Sequence, residues 1–149
     1  MQIELIVNPS SVAKRISITG EIYFKINDYF FPEKRWDDFV VVILGWWLRA
    51  LRSNSDMFEL LFMDGPLEVR AKKVKQNEFE LSFIHRGDCV LVANCSENEL
   101  KNQVAKAARK ILRKVTHEKW ESPDIKELRN GLRSLKNEMK EGQRDGSSV

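Results

Sequence analysis

Cysteine is scarce in this chain. Its two cysteines, Cys89 and Cys95, lie in one short apolar stretch. Their spacing on an extended segment is about 20 Å, too far for a disulfide, and no CxxC or Cys/His zinc spacing surrounds them. They are expected to be small buried hydrophobes in a reducing compartment. Histidine is equally sparse. His85 continues the inward alternation of Phe79, Leu81 and Phe83 and reads as an edge-of-core residue; His117 closes a basic helix face, where a cation suits the negative helix end. GxSxG, P-loop, HExxH, EF-hand and GxGxxG signatures are all missing. No catalytic, metal or cofactor residues are therefore assigned, and a non-enzyme is expected. Nor is there an apolar run of the ~20 residues that a bilayer requires. The N-terminus, MQIELIVNPSS, carries Glu4 and no basic segment, so a signal peptide is not expected and a cytoplasmic location is.

What is present is ordinary globular material: 42% apolar and 32% charged residues, enough to bury a core without staples. One domain over residues 1–140 is expected, with a disordered tail at 141–149. The net charge of +3 is unevenly spread: residues 1–98 carry −2 and residues 99–149 carry +5. Such asymmetry can accompany a nucleic-acid or acidic-protein partner, but its density is well below that of a basic arm, so a nucleic-acid partner is not expected and the basic helix face reads first as solvated surface.

Alternation marks the strands. QIELIV at 2–7 reads as a short strand ending at an Asn8-Pro9 turn. In ISITGEIYFKIN, Ile16, Ile18, Gly20, Ile22, Phe24 and Ile26 face one way, and Glu21, Tyr23 and Lys25 the other. Farther on, Phe58, Leu60 and Phe62 share a face, as do Leu67, Val69 and Ala71, then Phe79, Leu81 and Phe83. CVLVANC is apolar on both faces and reads as a central strand. Asp64-Gly65-Pro66 and Arg86-Gly87-Asp88 are turns, so the links are short and the pairing antiparallel.

Two C-terminal helices announce their starts. Ser96 and Glu99 form a capping box. The helix opened there buries Leu100, Val104, Ala108, Ile111 and Val115 and exposes Lys106, Arg109, Lys110, Arg113 and Lys114. Ser122-Pro123-Asp124 opens the other. Its narrow seam of Ile125, Leu128, Leu132, Leu135 and Met139 packs on its own domain or pairs two chains as a homodimer. Gly131 within it costs about 1 kcal/mol against Ala.

The longest apolar run, Phe39 to Leu48, lies in RWDDFVVVILGWWLRAL. Trp36, Phe39, Val40, Ile43, Trp47, Leu48 and Leu51 follow a helical period, which predicts a helix over 35–52 with Asp37 or Asp38 at its positive end. Val41, Val42, Leu44 and Trp46 make the second face apolar too, so cover on both sides is expected. Trp46 and Trp47 offer the alternative of a partner-binding anchor.

FFPEKRWDDFVVVILGWWLRAL followed by ELLFMDGPLEV, with KWESPDIKEL more loosely, resembles small bacterial immunity proteins of polymorphic-toxin and contact-dependent-inhibition systems. The resemblance covers residues 30–70 and implies a cognate toxin as partner; it brings no site residues with it. The slightly basic balance departs from the acidic character common among immunity proteins against nucleases. The expected architecture is α+β: an antiparallel sheet of five or six strands, one face covered by three helices. The expected function is a non-catalytic inhibitor that occludes a toxin's active site or substrate path. Its contacts are drawn from Lys106, Arg109, Lys110 and Arg113 and from the outward residues Glu21, Tyr23, Lys25, Glu68, Arg70 and Lys72. The alternative is a nucleic-acid-associated or regulatory module using the basic helix face 106–114.

Overall fold

The computed structural model describes residues 2–147, with side chains as far as residue 141. The fold is α+β, and its strands are antiparallel. They form two four-stranded sheets rather than a single one of five or six. Sheet A consists of β1 (Ile3–Lys14), β2 (Ile18–Ile26), β3 (Tyr29–Phe31) and β4 (Asp37–Asp38), with β2 pairing to all the others. Helix α1 (Val40–Arg52) comes next. Sheet B is a meander of β5 (Met57–Leu61), β6 (Leu67–Lys75), β7 (Glu78–His85) and β8 (Asp88–Ser96). Helices α2 (Glu97–His117) and α3 (Pro123–Ser147) complete the chain.

β1 runs straight through Asn8-Pro9. The expected turn there is a register shift between Asn8 and Ala13. Pro9 is tolerated because β1 is an edge strand. Ser11 Oγ, which accepts from Glu21 N at 2.9 Å, bridges the irregular stretch. Opposite it, Gly20 leaves room for Val12: a Cβ on residue 20 would stand 2.8 Å from Val12 Cγ2.

Asp37 and Asp38 do not start a helix. They pair with Glu21 and Gly20 of β2, and α1 begins only at Val40. Asp38 is buried and joins three segments. Oδ1 accepts from Phe39 N at 2.7 Å, and Oδ2 accepts from Trp36 Nε1 at 3.0 Å and from Met63 N at 3.3 Å. The Met63 bond ties sheet A's last strand to the exit of β5.

The core is continuous across both sheets. Trp47 stacks on Phe24 of sheet A at 5.5 Å and meets Phe62, just past β5, edge-on at 5.3 Å. Phe83 of sheet B touches Phe24 and Phe31. The Trp47 indole donates to Leu61 O at 2.7 Å, so even its polar atom is satisfied. α1 therefore lies against both sheets, with α2 and α3 packed against it. Its remaining wedge is only partly closed: Trp46 is 36% exposed, so most of its ring is covered by this chain.

Both C-terminal helix starts fall where the sequence places them. Ser96 Oγ accepts from Glu99 N at 3.0 Å, and Ser122 Oγ accepts from Ile125 N at 3.2 Å. The seam of α3 packs inward. Ile125, Leu128, Leu132 and Leu135 are buried within the chain, so this seam is not free to pair two copies. Gly131 faces Leu48 of α1 at ordinary contact distance, 3.5 Å for an added Cβ. α3 continues to Ser147, past the expected end at 140; residues 148 and 149 lie outside the described range.

β8 is not central. It is the last strand of sheet B, and Val90 and Val92 are 42% and 46% exposed. Cys89, on the same strand, is exposed rather than buried, while Cys95 is buried as expected. His85 is also exposed. It sits at the mouth of the Arg86-Gly87 turn, paired with Asp88, and Ile84 is the buried residue there. No helix among the described residues is long and apolar enough to cross a membrane.

Candidate functional site

The ten residues singled out in the sequence fall on three separate surfaces. Lys106, Arg109, Lys110 and Arg113 project from the exposed side of α2. Glu21, Tyr23 and Lys25 lie on the outward side of β2, and Glu68, Arg70 and Lys72 on the outward side of β6.

The β2 group is engaged by its own fold. Tyr23 is only 8% exposed, against the expected solvent position, because Phe30 of β3 closes on it edge-to-face at 5.9 Å. Lys34 lies 5.5 Å over the Phe30 ring, and Glu21 pairs with Arg35 at 3.6 Å. Lys25 is half-buried. Alternation places these side chains off the core face, but three later residues, Tyr29–Phe31, pair alongside β2 and bring the Phe30 ring against Tyr23.

The β6 group belongs to an open surface. Register aligns its outward residues in rows across sheet B. One row runs Met57, Lys72, Glu80, Asn94; the next runs Glu59, Arg70, Ser82, Val92. A third runs Leu61, Glu68, Ile84 and Cys89, and here the face is closed: Ile84 is buried and the Glu68 side chain, bonded to Arg70, is 13% exposed. Acidic and basic side chains thus face each other directly, a favourable cross-strand arrangement. Arg70 is held by Glu68, with Nη2 and Nε at 2.6 and 2.8 Å from Oε1. The β5 half of the surface is concave, with a recess of about 530 Å³ between Met57, Leu61, Arg70, Lys72 and Glu80. Among the described residues no helix packs on this recess, and Met57 is 67% exposed.

Met57 and Leu61 were missed in the sequence. The same alternation that sends Phe58, Leu60 and Phe62 inward sends Met57, Leu61 and Met63 outward, and three large apolar residues on an outward face are the available signal.

The groups best suited to chemistry are dispersed or occupied. Asp38 has both oxygens committed to the donors described above. Burial, with Glu99 and Glu78 adding to it, pushes the Cys95 thiol up to about 12, which keeps it protonated and unreactive at neutral pH. Asp37 has its pKa raised by partial desolvation, then by the carboxylates of Asp38 and Glu21. His85 and His117 stand exposed on different elements. Among the described residues, no group of three or more His, Cys, Asp and Glu is placed to hold a metal ion.

Compared with protein-family models, with curated proteins and with solved structures, the chain matches none of them.

Proposed function

We propose that this chain is a non-catalytic, protein-binding inhibitor of the immunity type. It acts in the cytoplasm and docks through the outward face of sheet B to occlude a cognate toxin's active site or substrate path. The observation that carries the reading is the uncovered recess on that face, where exposed Met57 and Leu61 border the charged rows of Arg70, Lys72, Glu59 and Glu80. Apolar anchors inside a polar, mixed-charge border are the usual anatomy of a protein interface. Strands of up to nine residues in a four-stranded sheet offer about 30 by 15–20 Å. That is at most roughly 450–600 Å² before side-chain relief, so the flanking loops must add to it to reach the ~800 Å² per partner of a standard complex. Alternating charges fix register and exclude wrong partners more than they add affinity.

The test begins with the genes beside this one, of which one should encode a product that is toxic when expressed alone. Co-expression should protect cells, and the purified pair should form a stable complex. Met57→Glu/Leu61→Glu changes two exposed residues, so the fold should persist by circular dichroism. Binding should weaken at least ~30-fold, or about 2 kcal/mol. Full protection by the folded double variant would reject this face. Absence of any complex with the neighbouring toxic product would reject the immunity reading itself.

A further inference from the structure

We infer that the exposed side of α2 is a phosphate-binding surface for duplex nucleic acid, gripping the backbone without reading sequence. This inference does not rest on the sheet B reading and concerns a different surface. Lys106, Arg109, Lys110, Arg113 and His117 fall within about a third of the helix circumference, and all five are exposed. From Lys106 to His117 the stripe is about 16 Å long at 1.5 Å per residue. One strand of a duplex presents a phosphate about every 3.4 Å of axis, so a stripe of this length spans four to five of them.

The charges are available. Lys101 is tied to Glu97 at 3.2 Å and Lys114 to Glu118 at 3.1 Å. Among the described residues, Lys106, Arg109, Lys110 and Arg113 enter no ion pair. The stripe is also held in place. Leu100, Val104, Ala108, Ile111 and Val115 are buried on the opposite side, and Gln103 Oε1 accepts from Leu5 N of edge strand β1 at 3.0 Å. Beside the stripe, Pro9 of β1 and the side chains of Lys110, Arg113, Lys114 and His117 line a shallow recess of about 300 Å³.

Chemistry separates the ligand classes. None of the large exposed hydrophobic residues among the described ones lies on α2. A protein partner would find no apolar anchor there, and a single strand would find no aromatic platform on which to stack bases. Charge alone remains, which suits a duplex backbone.

The experiment uses the full chain and fluorescein-labelled 20-base-pair DNA and RNA duplexes, followed by anisotropy from 50 to 200 mM NaCl. About four neutralised phosphates predict a slope near −4 in log affinity against log salt, a loss of roughly 10²–10³-fold over that range. Lys106→Gln/Arg109→Gln/Lys110→Gln/Arg113→Gln should abolish binding, whereas Arg70→Gln/Lys72→Gln on sheet B should leave the slope unchanged. Should the fourfold variant fail to fold, Arg109→Glu/Arg113→Glu gives the same reading. The inference is overturned by any of four results: no duplex binding at 50 mM salt, equal loss from the sheet B variant, tighter binding of a matching single strand, or binding of polyglutamate in place of the duplex.

Discussion

Sheets A and B have four strands each, yet Tyr23 on the outward side of one is 8% exposed and Met57 on the outward side of the other is 67% exposed. The difference comes from the path the chain takes after β2 in one sheet and after β5 in the other. Beyond β2 the chain folds back as β3 and then as β4, and Phe30, Arg35 and Lys34 close over the outward residues. Beyond β5 it continues as a plain meander through tight turns, which among the described residues leaves the recess around Met57 uncovered, while Ile84 farther along the face is buried. Sheet A thus uses both faces for its own stability, while sheet B leaves one available. In a chain whose core already joins the two sheets, that free face is where a partner can be accommodated without cost to folding.

The largest effect should come from the residue that holds the sheets in one core. Trp47 touches Phe24 and Phe62 and donates to Leu61 O. Trp47→Ala should cost about 3–5 kcal/mol in urea unfolding. Both sheets should melt in one transition, read by far-ultraviolet and tryptophan signals together. A loss under about 1 kcal/mol, or two separated transitions, would mean that the sheets are independent units.

Asp38 should come next. Removing its carboxylate leaves the Met63 and Phe39 amides without their buried acceptor. Each orphaned donor costs about 1–3 kcal/mol, and water can reach the half-exposed Trp36 and exposed Met63 ends, which keeps the sum low, so Asp38→Ala should lose about 2–4 kcal/mol. Asp38→Asn, which keeps one acceptor oxygen, should lose less. Equal losses would show that the charge, not the bonding, matters at this junction.

The two faces can be compared directly by truncation. Tyr23→Ala removes a ring packed under Phe30 and should cost about 2–3 kcal/mol by area and cavity. Met57→Ala removes an exposed side chain and should stay within about 0.5 kcal/mol. Similar costs at both positions would erase the distinction drawn between the sheets, and with it the reason to place a partner on sheet B.

Much of this was legible locally. The inward triplets of β5, β6 and β7 and the two helix caps each depend on neighbours within a few residues, and each is found where the sequence puts it; the helical period of α1 holds from Val40 to Arg52, five residues short of its expected start. Legibility ended where the answer lay far along the chain. β8 is apolar on both faces, which reads as burial, but its outer neighbour is solvent because no later strand pairs with it. Tyr23 alternates outward, but its cover comes from residues 29–31. Asp37-Asp38 has the composition of a helix start, but the pairing with Gly20 and Glu21 across the sheet prevails. The candidate site inherited the same split. Arg70 and Lys72 were found because charge is conspicuous, whereas Met57 and Leu61 were overlooked because apolar residues are assigned to cores by default.

Gly131 offers a smaller, opposite effect. It lies within α3 facing Leu48, and an added Cβ would make ordinary contact at 3.5 Å. Gly131→Ala should therefore stabilise by about 0.5–1 kcal/mol through helix propensity and reduced unfolded-state freedom. A loss instead would show that α1 and α3 are packed too closely for a methyl group. Either way the effect should be the same in both sheets' signals, because the α1–α3 contact supports the common core.

The smallest effect concerns the crowded acidic edge of sheet A, which has no counterpart among the alternating charges of sheet B. Partial desolvation, Asp38 and Glu21 raise the pKa of Asp37 above its ordinary 3.8. Its native form then binds a proton more readily than its unfolded form, so this group's contribution to stability falls as pH rises from the unfolded value through the raised native one. At neutral pH the ionised carboxylate is a mild liability. Asp37→Asn should accordingly raise stability at pH 7, and the gain should shrink toward zero as the pH is lowered below about 4, where wild-type Asp37 is itself protonated. The measurement is a pair of urea curves, one at neutral pH and one at about pH 3.5. A gain that is the same at both, or a loss at neutral pH, would show that repulsion along this edge is not what distinguishes it from sheet B.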